Sequence, residues 1–341
     1  MSGTAERLDA FMARANAAYY ANRDPFADFT TAPEITQVFG ELLGAWAAVT
    51  WQAMGAPDPV VLAEAGPGRG TLMADALRAI RQTAPGFAAA LRLHLVETSP
   101  GLRAVQAAKL PGAAWHGRIE DLPPGPLLLL ANEFLDALPI RQFVRHGDGW
   151  AERFVADGVF TEAPAGQPSW PGLTWPSTDA TAAASPLADG DIVEVGEAAH
   201  AIAATLAARI ARDGGAALFI DYGPEHSAPG DSLQAIMGGK PCDPLANPGS
   251  ADLTAHVDFA ALARAARAAG AAVQGPVPQG VFLARLGLFQ RSGALGRSNP
   301  ARAAGLMHAA QRLAEPDRMG RLFKALAICH PDLPILPGFA A

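Results

Sequence analysis

The chain has 341 residues, half of which are hydrophobic, and carries 26 basic against 33 acidic side chains for a net charge of −7. This length is enough for one large domain or two modest ones. The acidic balance argues against a general nucleic-acid surface or binding to anionic membranes. The two cysteines, Cys242 and Cys329, lie outside any CxxC or Cys/His pattern, so we expect no disulfide framework and no metal site.

The N-terminal residues predict helices rather than a targeting signal. Residues 1–20 lack the charged and apolar regions of a signal peptide and have the pattern of an amphipathic helix, and no apolar run is long enough to cross a membrane. We therefore expect a soluble cytoplasmic protein without membrane insertion. A second helix is predicted over 34–54, with Thr31 as its cap and Pro33 in its first turn.

Short apolar segments beyond residue 57 alternate with helical segments, which predicts an α/β fold. Helices that join successive strands imply a parallel sheet covered by helices on both faces. Residues 127–131 are apolar throughout, as expected for a central strand of such a sheet. The predicted strands are 59–65, 91–96, 113–117, 126–132 and 214–223.

Two longer segments interrupt this alternation. Residues 144–190 begin as a hairpin and continue into a stretch rich in Pro, Ser, Thr and Ala that contains Trp170 and Trp175. Residues 223–257 have the composition of a Gly/Pro-rich loop. We therefore predict a helical cap or lid at 1–57, a core with both inserts at 58–285, and a helical region at 286–341.

A glycine-rich turn, "EAGPGRG", follows the first predicted strand. Glu64 ends that strand, and Gly66, Gly68 and Gly70 let the backbone approach a ligand at the start of the next helix. The spacing is GxGxG and not the GxGxxG of a dinucleotide site, so a purely structural turn is an equal alternative.

Acidic residues after the second and third strands narrow the choice of ligand. Glu97 ends the second strand, where a carboxylate can bind both ribose hydroxyls, although it can also cap the following helix. Together with Glu64 it favours an adenosine ligand that carries positive charge, such as S-adenosylmethionine (SAM), over NAD with its pyrophosphate. Glu120 follows the third strand, where adenine contacts are expected; a solvated acidic loop is the alternative.

At this point the chain resembles the MidA family of class I SAM-dependent methyltransferases, the group that contains the mitochondrial complex I assembly factor 7 protein arginine methyltransferase. The motifs that carry the resemblance occur in order along most of the chain. They are "DFTTAPEITQVFGELLGAW" (28–46), "GPGRGTL" (66–72), "HLVETSP" (94–100), "NEFLDALP" (132–139), "DYG" (221–223) and "ADLTAHVDF" (251–259).

The resemblance implies a Rossmann-like class I methyltransferase sheet with N-terminal helices, a strand/loop insert and C-terminal helical additions. For the mitochondrial members it implies symmetric dimethylation of an arginine in a quinone-module subunit of complex I. We accordingly include Thr98 and Asn132 with the SAM-binding residues. Two departures from the family are a shorter segment ahead of Asp28 and the lack of a histidine in 236–244.

The motif Asn-Glu-Phe-x-Asp ends the fourth predicted strand, beside the expected methyl donor. A guanidinium is a poor nucleophile at neutral pH, and a carboxylate can fix it by paired hydrogen bonds and accept the released proton. We therefore predict Glu133 as the clamp, Asp136 as a second clamp or proton acceptor, and Phe134 as a cation platform. The alternative is that both acids simply favour the first turn of a helix.

Further candidates for the acceptor side are less distinctive. Glu34 would close over the ligand or belong to a plain helix start, and Asp221 and Tyr222 end the fifth strand towards the same cleft. His256 would line the acceptor pocket, although a lone histidine is more often structural. Asp258 is a second candidate for that pocket, and the alternative is that it caps the helix that begins at Phe259.

The sequence thus predicts a SAM-dependent protein arginine methyltransferase acting on a complex I subunit. One alternative is an assembly factor that keeps the SAM fold but acts by binding complex I with little catalysis. Another is a small-molecule methyltransferase. A homodimer, the modified arginine and the number of methyl groups stay open.

Overall fold

The computed structural model describes residues 5–22, 30–168 and 187–340. Its strands are β1 (Glu6–Arg7), β2 (Val60–Ala65), β3 (Leu91–Val96), β4 (Ala114–His116), β5 (Leu127–Asn132), β6 (Arg141–His146), β7 (Gly149–Ala156), β8 (Val159–Ala165), β9 (Ile192–Val195), β10 (Gly215–Tyr222), β11 (Gln234–Met237), β12 (Lys240–Cys242), β13 (Asp252–Thr254), β14 (Ala272–Pro278) and β15 (Phe323–Cys329). Its α-helices are α1 (Leu8–Asn22), α2 (Ala32–Ile35), α3 (Gln37–Ala53), α4 (Thr71–Thr83), α5 (Pro85–Ala90), α6 (Pro100–Lys109), α7 (Glu197–Asp213), α8 (Phe259–Ala268), α9 (Gln279–Arg285), α10 (Leu288–Ser298), α11 (Ala303–Ala314) and α12 (Met319–Leu322).

A seven-stranded sheet with the order β14-β15-β10-β5-β2-β3-β4 forms the core. The five strands from β10 to β4 are parallel, and β15 runs antiparallel to both of its neighbours. The predicted α/β fold class is confirmed, and each of the five predicted strands is present. Parallel strands place their carboxyl ends at one edge, where ligands bind in such folds.

The leucines of β5 show why the most apolar run of the chain lies at the centre. Leu128 and Leu130 face a core built with α3 and α4, whereas Leu127 and Leu129 face a core built with α7 and α8. All four side chains are at most 1% exposed. A strand covered on both faces needs apolar residues at every position, because neither face meets water.

The predicted helix at 34–54 is in fact two helices, α2 and α3. Thr36 adopts an extended conformation between them, and its hydroxyl oxygen accepts a hydrogen bond from the Val38 amide at 3.3 Å. Thr31 precedes α2, but its side chain makes no capping hydrogen bond. The cap of the long helix α3 is therefore Thr36 and not Thr31. The short helix α2 is a separate element with its own contacts.

Both inserts contain strands that the sequence did not predict. The insert at 144–190 has more than a hairpin, and the insert at 223–257 is not a plain loop. Strands β6, β7 and β8 form an antiparallel meander that β1 and β9 extend. Strands β11, β12 and β13 form a separate small sheet within 223–257. Trp170 and Trp175 lie outside the described residues.

The expected helical region at 286–341 contains helices, but the prediction is wrong for β15. Its seven residues lie between β10 and β14 in the main sheet. A continuous apolar run buried on both faces has no strand alternation and is hard to distinguish from a buried helix. In the described ranges, none of the helices is both long and apolar enough to cross a membrane.

Candidate active site

The carboxyl ends of β2, β3 and β5 open into a cleft of about 720 Å³. Helices α1, α2 and α7 contribute further walls. The sequence-predicted residues that line it are Glu34, Glu64, Gly66, Gly68, Glu97, Thr98, Glu120, Asn132, Glu133 and Phe134. The predicted residues outside its lining are Gly70, Asp136, Asp221, Tyr222 and His256.

The glycine-rich turn needs glycine for conformation and for space. Gly66, Gly68 and Gly70 have φ values of +65°, +52° and +73°, in the left-handed region that favours glycine. A Cβ at Gly66 would lie 3.0 Å from the Phe134 ring. Gly70 caps the start of α4, and a Cβ there would lie 3.1 Å from the Leu110 side chain. Gly70 therefore shapes the turn without lining the cleft.

Two acceptor atoms in the cleft are buried without a partner. Glu64 is 3% exposed and accepts a hydrogen bond from the Met73 amide, but its Oε2 has no partner within the described part of the chain. The same is true of Asn132 Oδ1. Burial raises the pKa of Glu64 to about 8. Because buried polar atoms are normally hydrogen-bonded, this pair fits a ligand that brings N–H donors and positive charge, as the amino group of SAM does.

Glu97 is held in place by hydrogen bonds from the helix that follows it, α6, and from the cap of that helix. Its Oε1 accepts from the Ser99 amide at 2.7 Å and its Oε2 from Gln106 Nε2 at 3.2 Å, and burial raises its pKa. Gln106 is fully buried, and its amide also donates to the Gly68 carbonyl at 2.7 Å. Gln106 thus connects the glycine turn to the carboxylate. The sequence analysis did not predict a role for Gln106. The one indication in the sequence is a glutamine on the inner face of α6.

Thr98 and Glu120 lie at the exposed rim on the β3–β4 side. Glu120 accepts a hydrogen bond from Arg118 Nε at 3.2 Å, and hydrogen bonds from its own backbone amide and from Arg118 lower its pKa. Glu97, Thr98 and Glu120 therefore follow the carboxyl ends of adjacent strands. This arrangement suits the sugar and base of an adenosine ligand.

Glu133 lies at the centre of the cleft in a strained conformation. Its φ is +50°, a region that non-glycine residues rarely adopt and that clusters at functional sites. Its Oε1 accepts from the Ala32 amide at 3.0 Å and from Asn132 Nδ2 at 2.9 Å. Within the described residues Oε2 has no hydrogen-bond partner, and burial raises the pKa of the carboxyl group. Residues 133–139 form a turn and not a helix, which removes the alternative of a helix start.

Helix α2 covers the cleft through two contacts. The Ala32 amide reaches Glu133 at 3.0 Å, and Glu34 Oε1 accepts from Thr71 Oγ1 at 2.6 Å. Thr71 begins α4, directly after the glycine turn. Glu34 therefore fixes α2 over the cleft, whereas the residues ahead of it at 23–29 lie outside the described ranges.

Asp221 shapes the Glu133 turn and does not line the cleft that it was predicted to face. It is 1% exposed, and its Oδ2 accepts hydrogen bonds from three consecutive backbone amides. The donors are Phe134 at 3.1 Å, Leu135 at 2.9 Å and Asp136 at 3.3 Å. Burial raises the pKa of Asp221 to about 7. The turn is therefore built around this one carboxylate.

Asp136, predicted as a second clamp or proton acceptor, is 8% exposed and does not line the cleft. Burial, together with the nearby Asp221 and Asp252, raises its pKa well above the usual range. A helical or extended interpretation of the motif does not reveal that Glu133 lines the cleft whereas Asp136 does not.

Tyr222 and His256 lie behind the turn. The Tyr222 hydroxyl accepts from Gln234 Nε2 at 3.0 Å, and its ring meets the His256 ring edge-on at 5.4 Å. His256 lines a second cavity and not the cleft. Asp258 caps α8 by accepting from the Ala261 amide at 2.8 Å, as the alternative interpretation predicted.

Helix α1 supplies cleft residues that sequence reasoning missed. Asn16 donates to the carbonyls of Ala137 at 3.0 Å and Leu253 at 2.8 Å, and accepts from the Leu253 amide at 3.0 Å. One turn later, Tyr20 lines the cleft and donates its hydroxyl to Asp252 at 2.8 Å. Nothing local marks these residues, because their partners are more than 100 positions away in sequence.

Comparison with known proteins agrees with this geometry. A family model described as "Putative S-adenosyl-L-methionine-dependent methyltransferase" matches residues 42–277. A crystal structure of a protein from Burkholderia thailandensis bound to S-adenosyl-homocysteine is 28% identical with a TM-score of 0.80, covering 99% of this chain and 91% of that one. The chain belongs to this family of SAM-dependent methyltransferases, and SAM is its cofactor.

The curated relatives are more specific. "Protein arginine methyltransferase NDUFAF7, mitochondrial" from Danio rerio is 37% identical, covering 92% of this chain and 79% of the relative. The Homo sapiens protein of the same name is 35% identical, covering 91% of this chain and 76% of the relative. These relatives are named as mitochondrial, which contradicts our prediction of a cytoplasmic location.

Proposed function

We propose that this methyltransferase modifies an arginine side chain of a protein. The observation that carries the proposal is the Glu133 carboxylate in the cleft, which is fixed through Oε1 and whose Oε2 has no hydrogen-bond partner among the described residues. The names of the relatives support an arginine acceptor. The motif resemblance supports a quinone-module subunit of respiratory complex I as the protein.

Glu133 has the chemistry that an arginine acceptor requires. Bound SAM supplies an electrophilic methyl group on a sulfonium. The carboxylate accepts hydrogen bonds from the planar guanidinium and orients the reacting nitrogen, which contributes by positioning and charge placement. Methylation of that nitrogen releases one proton, and a carboxylate whose pKa burial has raised is a better acceptor for it than an exposed one.

The surrounding residues keep Glu133 in this position. Asp221 holds the turn through three amides, and Asn132 and Ala32 hold Oε1. The Phe134 ring packs against the glycine turn, where a Cβ at Gly66 would contact it. Reorganisation of the site during the reaction is therefore small, which is the condition for efficient electrostatic stabilisation.

The test is methyl transfer from isotopically labelled SAM to the purified 49-kDa-type complex I subunit of the same organism, with mass spectrometry to locate the label. We expect label on an arginine and a loss of about 10²- to 10⁴-fold in kcat for Glu133→Gln, with the Kd for SAM unchanged. Glu162→Gln, at an exposed strand position, is the control. Unlabelled subunit in the presence of bound SAM, or full activity in Glu133→Gln, would contradict the proposal.

A further inference from the structure

A second cavity of about 630 Å³ lies on the far side of the turn that carries Glu133. The turn presents Phe134 to the cleft and Leu135, Pro139 and Ile140 to the second cavity, and Leu138 lines both. The two spaces are thus separated by one turn of the chain. A polypeptide with one side chain in the cleft is therefore close enough to contact the second cavity as well.

The floor of the second cavity is apolar and its rim leaves apolar surface uncovered. Leu135, Ile140 and Val257 are buried at 4%, 6% and 5% exposure. Leu322 on the rim is 48% exposed, which is high for a large hydrophobic side chain. Ala228, which is exposed in the loop after β10, also lines the cavity. Such a surface gains from an apolar side chain that covers it.

Some charged groups of the second cavity already have hydrogen-bond partners within the protein. Glu194 accepts hydrogen bonds from Ser232 and Gln142, and Asp258 caps α8. The Lys324 ammonium donates to three backbone carbonyls, one of them that of Gly223 at 3.1 Å.

The α12 side of the rim carries the charges that remain. Arg318 pairs with Glu315 at 3.1 Å, and Asp317 beside it is exposed. Arg321 is exposed and has no ion pair or hydrogen bond from its side chain within the described part of the chain. Arg321 is therefore the group on this rim that is available to a carboxylate.

We propose that the second cavity binds the segment of the acceptor protein that flanks the methylated arginine, with an apolar side chain over Leu322 and Ile140 and a carboxylate at Arg321. This inference rests on the proposed function. Extended chain advances about 3.3 Å per residue, so residues two or three positions from the arginine reach across one turn. Binding energy from such remote contacts orients the reacting group.

The experiment fills the cavity from its exposed rim. Ala228→Trp places a large side chain in the opening, whereas Ala246→Trp makes the same change at an exposed position of the same insert outside it. With the 49-kDa-type subunit as acceptor, we expect Ala228→Trp to raise KM about tenfold. We expect kcat at saturation, the Kd for SAM and the melting temperature to be unchanged, and Ala246→Trp to match the wild type.

A charge reversal tests the second contact. Arg321→Glu is expected to raise the same KM about fivefold at low salt, while Arg302→Glu, at another exposed arginine, leaves it unchanged. If the wild type labels an arginine and Ala228→Trp has the wild-type KM, the cavity proposal is overturned while the proposed function stands. If the wild type labels no arginine, the proposed function fails and this inference fails with it.

Discussion

The two sides of the cleft are built in different ways. The β2–β4 side, lined by Glu64, Gly66, Gly68, Glu97 and Glu120, is made by residues that directly follow adjacent parallel strands. The β5 side, lined by Asn16, Tyr20 and Glu133, is assembled from an N-terminal helix and a turn, with Asp252 from an insert behind them. Long-range side-chain hydrogen bonds join these pieces.

This difference predicts that the β2–β4 side tolerates fewer changes than the β5 side. The β2–β4 side depends on backbone geometry that the sheet imposes. The β5 side depends on a few side chains, such as Asn16 and Asp221, that join segments far apart in sequence. Substitutions on the β2–β4 side should therefore change the Kd for SAM, and substitutions on the β5 side the KM for the acceptor.

The largest of these effects is expected on the β2–β4 side. Glu97→Ala removes the carboxylate from the cleft, and loss of charged hydrogen bonds should raise the Kd for SAM about 10- to 100-fold. Asp121→Ala, an exposed neighbour outside the cleft lining, is the control in the same calorimetric titration. A rise in the acceptor KM at saturating SAM would show that the two sides are not independent.

A smaller effect is expected from pH. Burial raises the pKa of Glu64 to about 8. We expect the positively charged amino group of SAM to favour the ionised carboxylate, so that binding releases a proton. The Kd should therefore rise as pH falls below about 8, by at most about tenfold per pH unit. Calorimetry in buffers of different ionisation enthalpy measures the proton release directly.

Two comparisons check that Glu64 is the group responsible. Glu64→Gln should make the Kd for SAM independent of pH over the same range. The raised pKa also affects the stability of the ligand-free protein. The contribution of the protonated Glu64 carboxyl group to the free energy of unfolding is full below pH 4.5 and is lost as pH rises through about 8. A wild-type Kd that is flat between pH 6 and 8 would contradict the assignment.

The smallest effect is expected on the β5 side. Tyr20→Phe keeps the ring but removes the hydroxyl that Asp252 holds, and a looser wall should raise the acceptor KM about two- to fivefold. Tyr222→Phe loses a comparable hydrogen bond outside the cleft and is the matched control. Equal effects of the two substitutions on KM would show that Tyr20 has only a structural role.

The sequence predicted the β2–β4 side well because its chemistry is local. Strand, glycine turn and helix follow one another within 60–83, and glycine adopts the positive φ values of that turn without steric cost. Glu133 was also predicted. Its Oε2, which has no hydrogen-bond partner in the described ranges, supports the proposed role.

The remaining site residues could not be predicted because their positions depend on tertiary contacts. Asp221 ends a strand exactly as Glu64 does, yet it turns inward to bind three amides of a neighbouring turn. Asp136 is three residues from Glu133 but does not line the cleft. Asn16 and Tyr20 acquire their role only when α1 packs against β13.

The position of β15 has a consequence for how the chain acquires its fold during synthesis. This strand lies between β10 and β14, and both of these precede it in the sequence by at least 45 positions. A nascent chain therefore emerges with two sheet edges that stay unpaired until residues 323–329 have left the ribosome. Exposed strand edges invite pairing with other chains. This protein should consequently depend on chaperones late in translation, and loss of β15 alone should yield aggregation instead of a smaller folded enzyme.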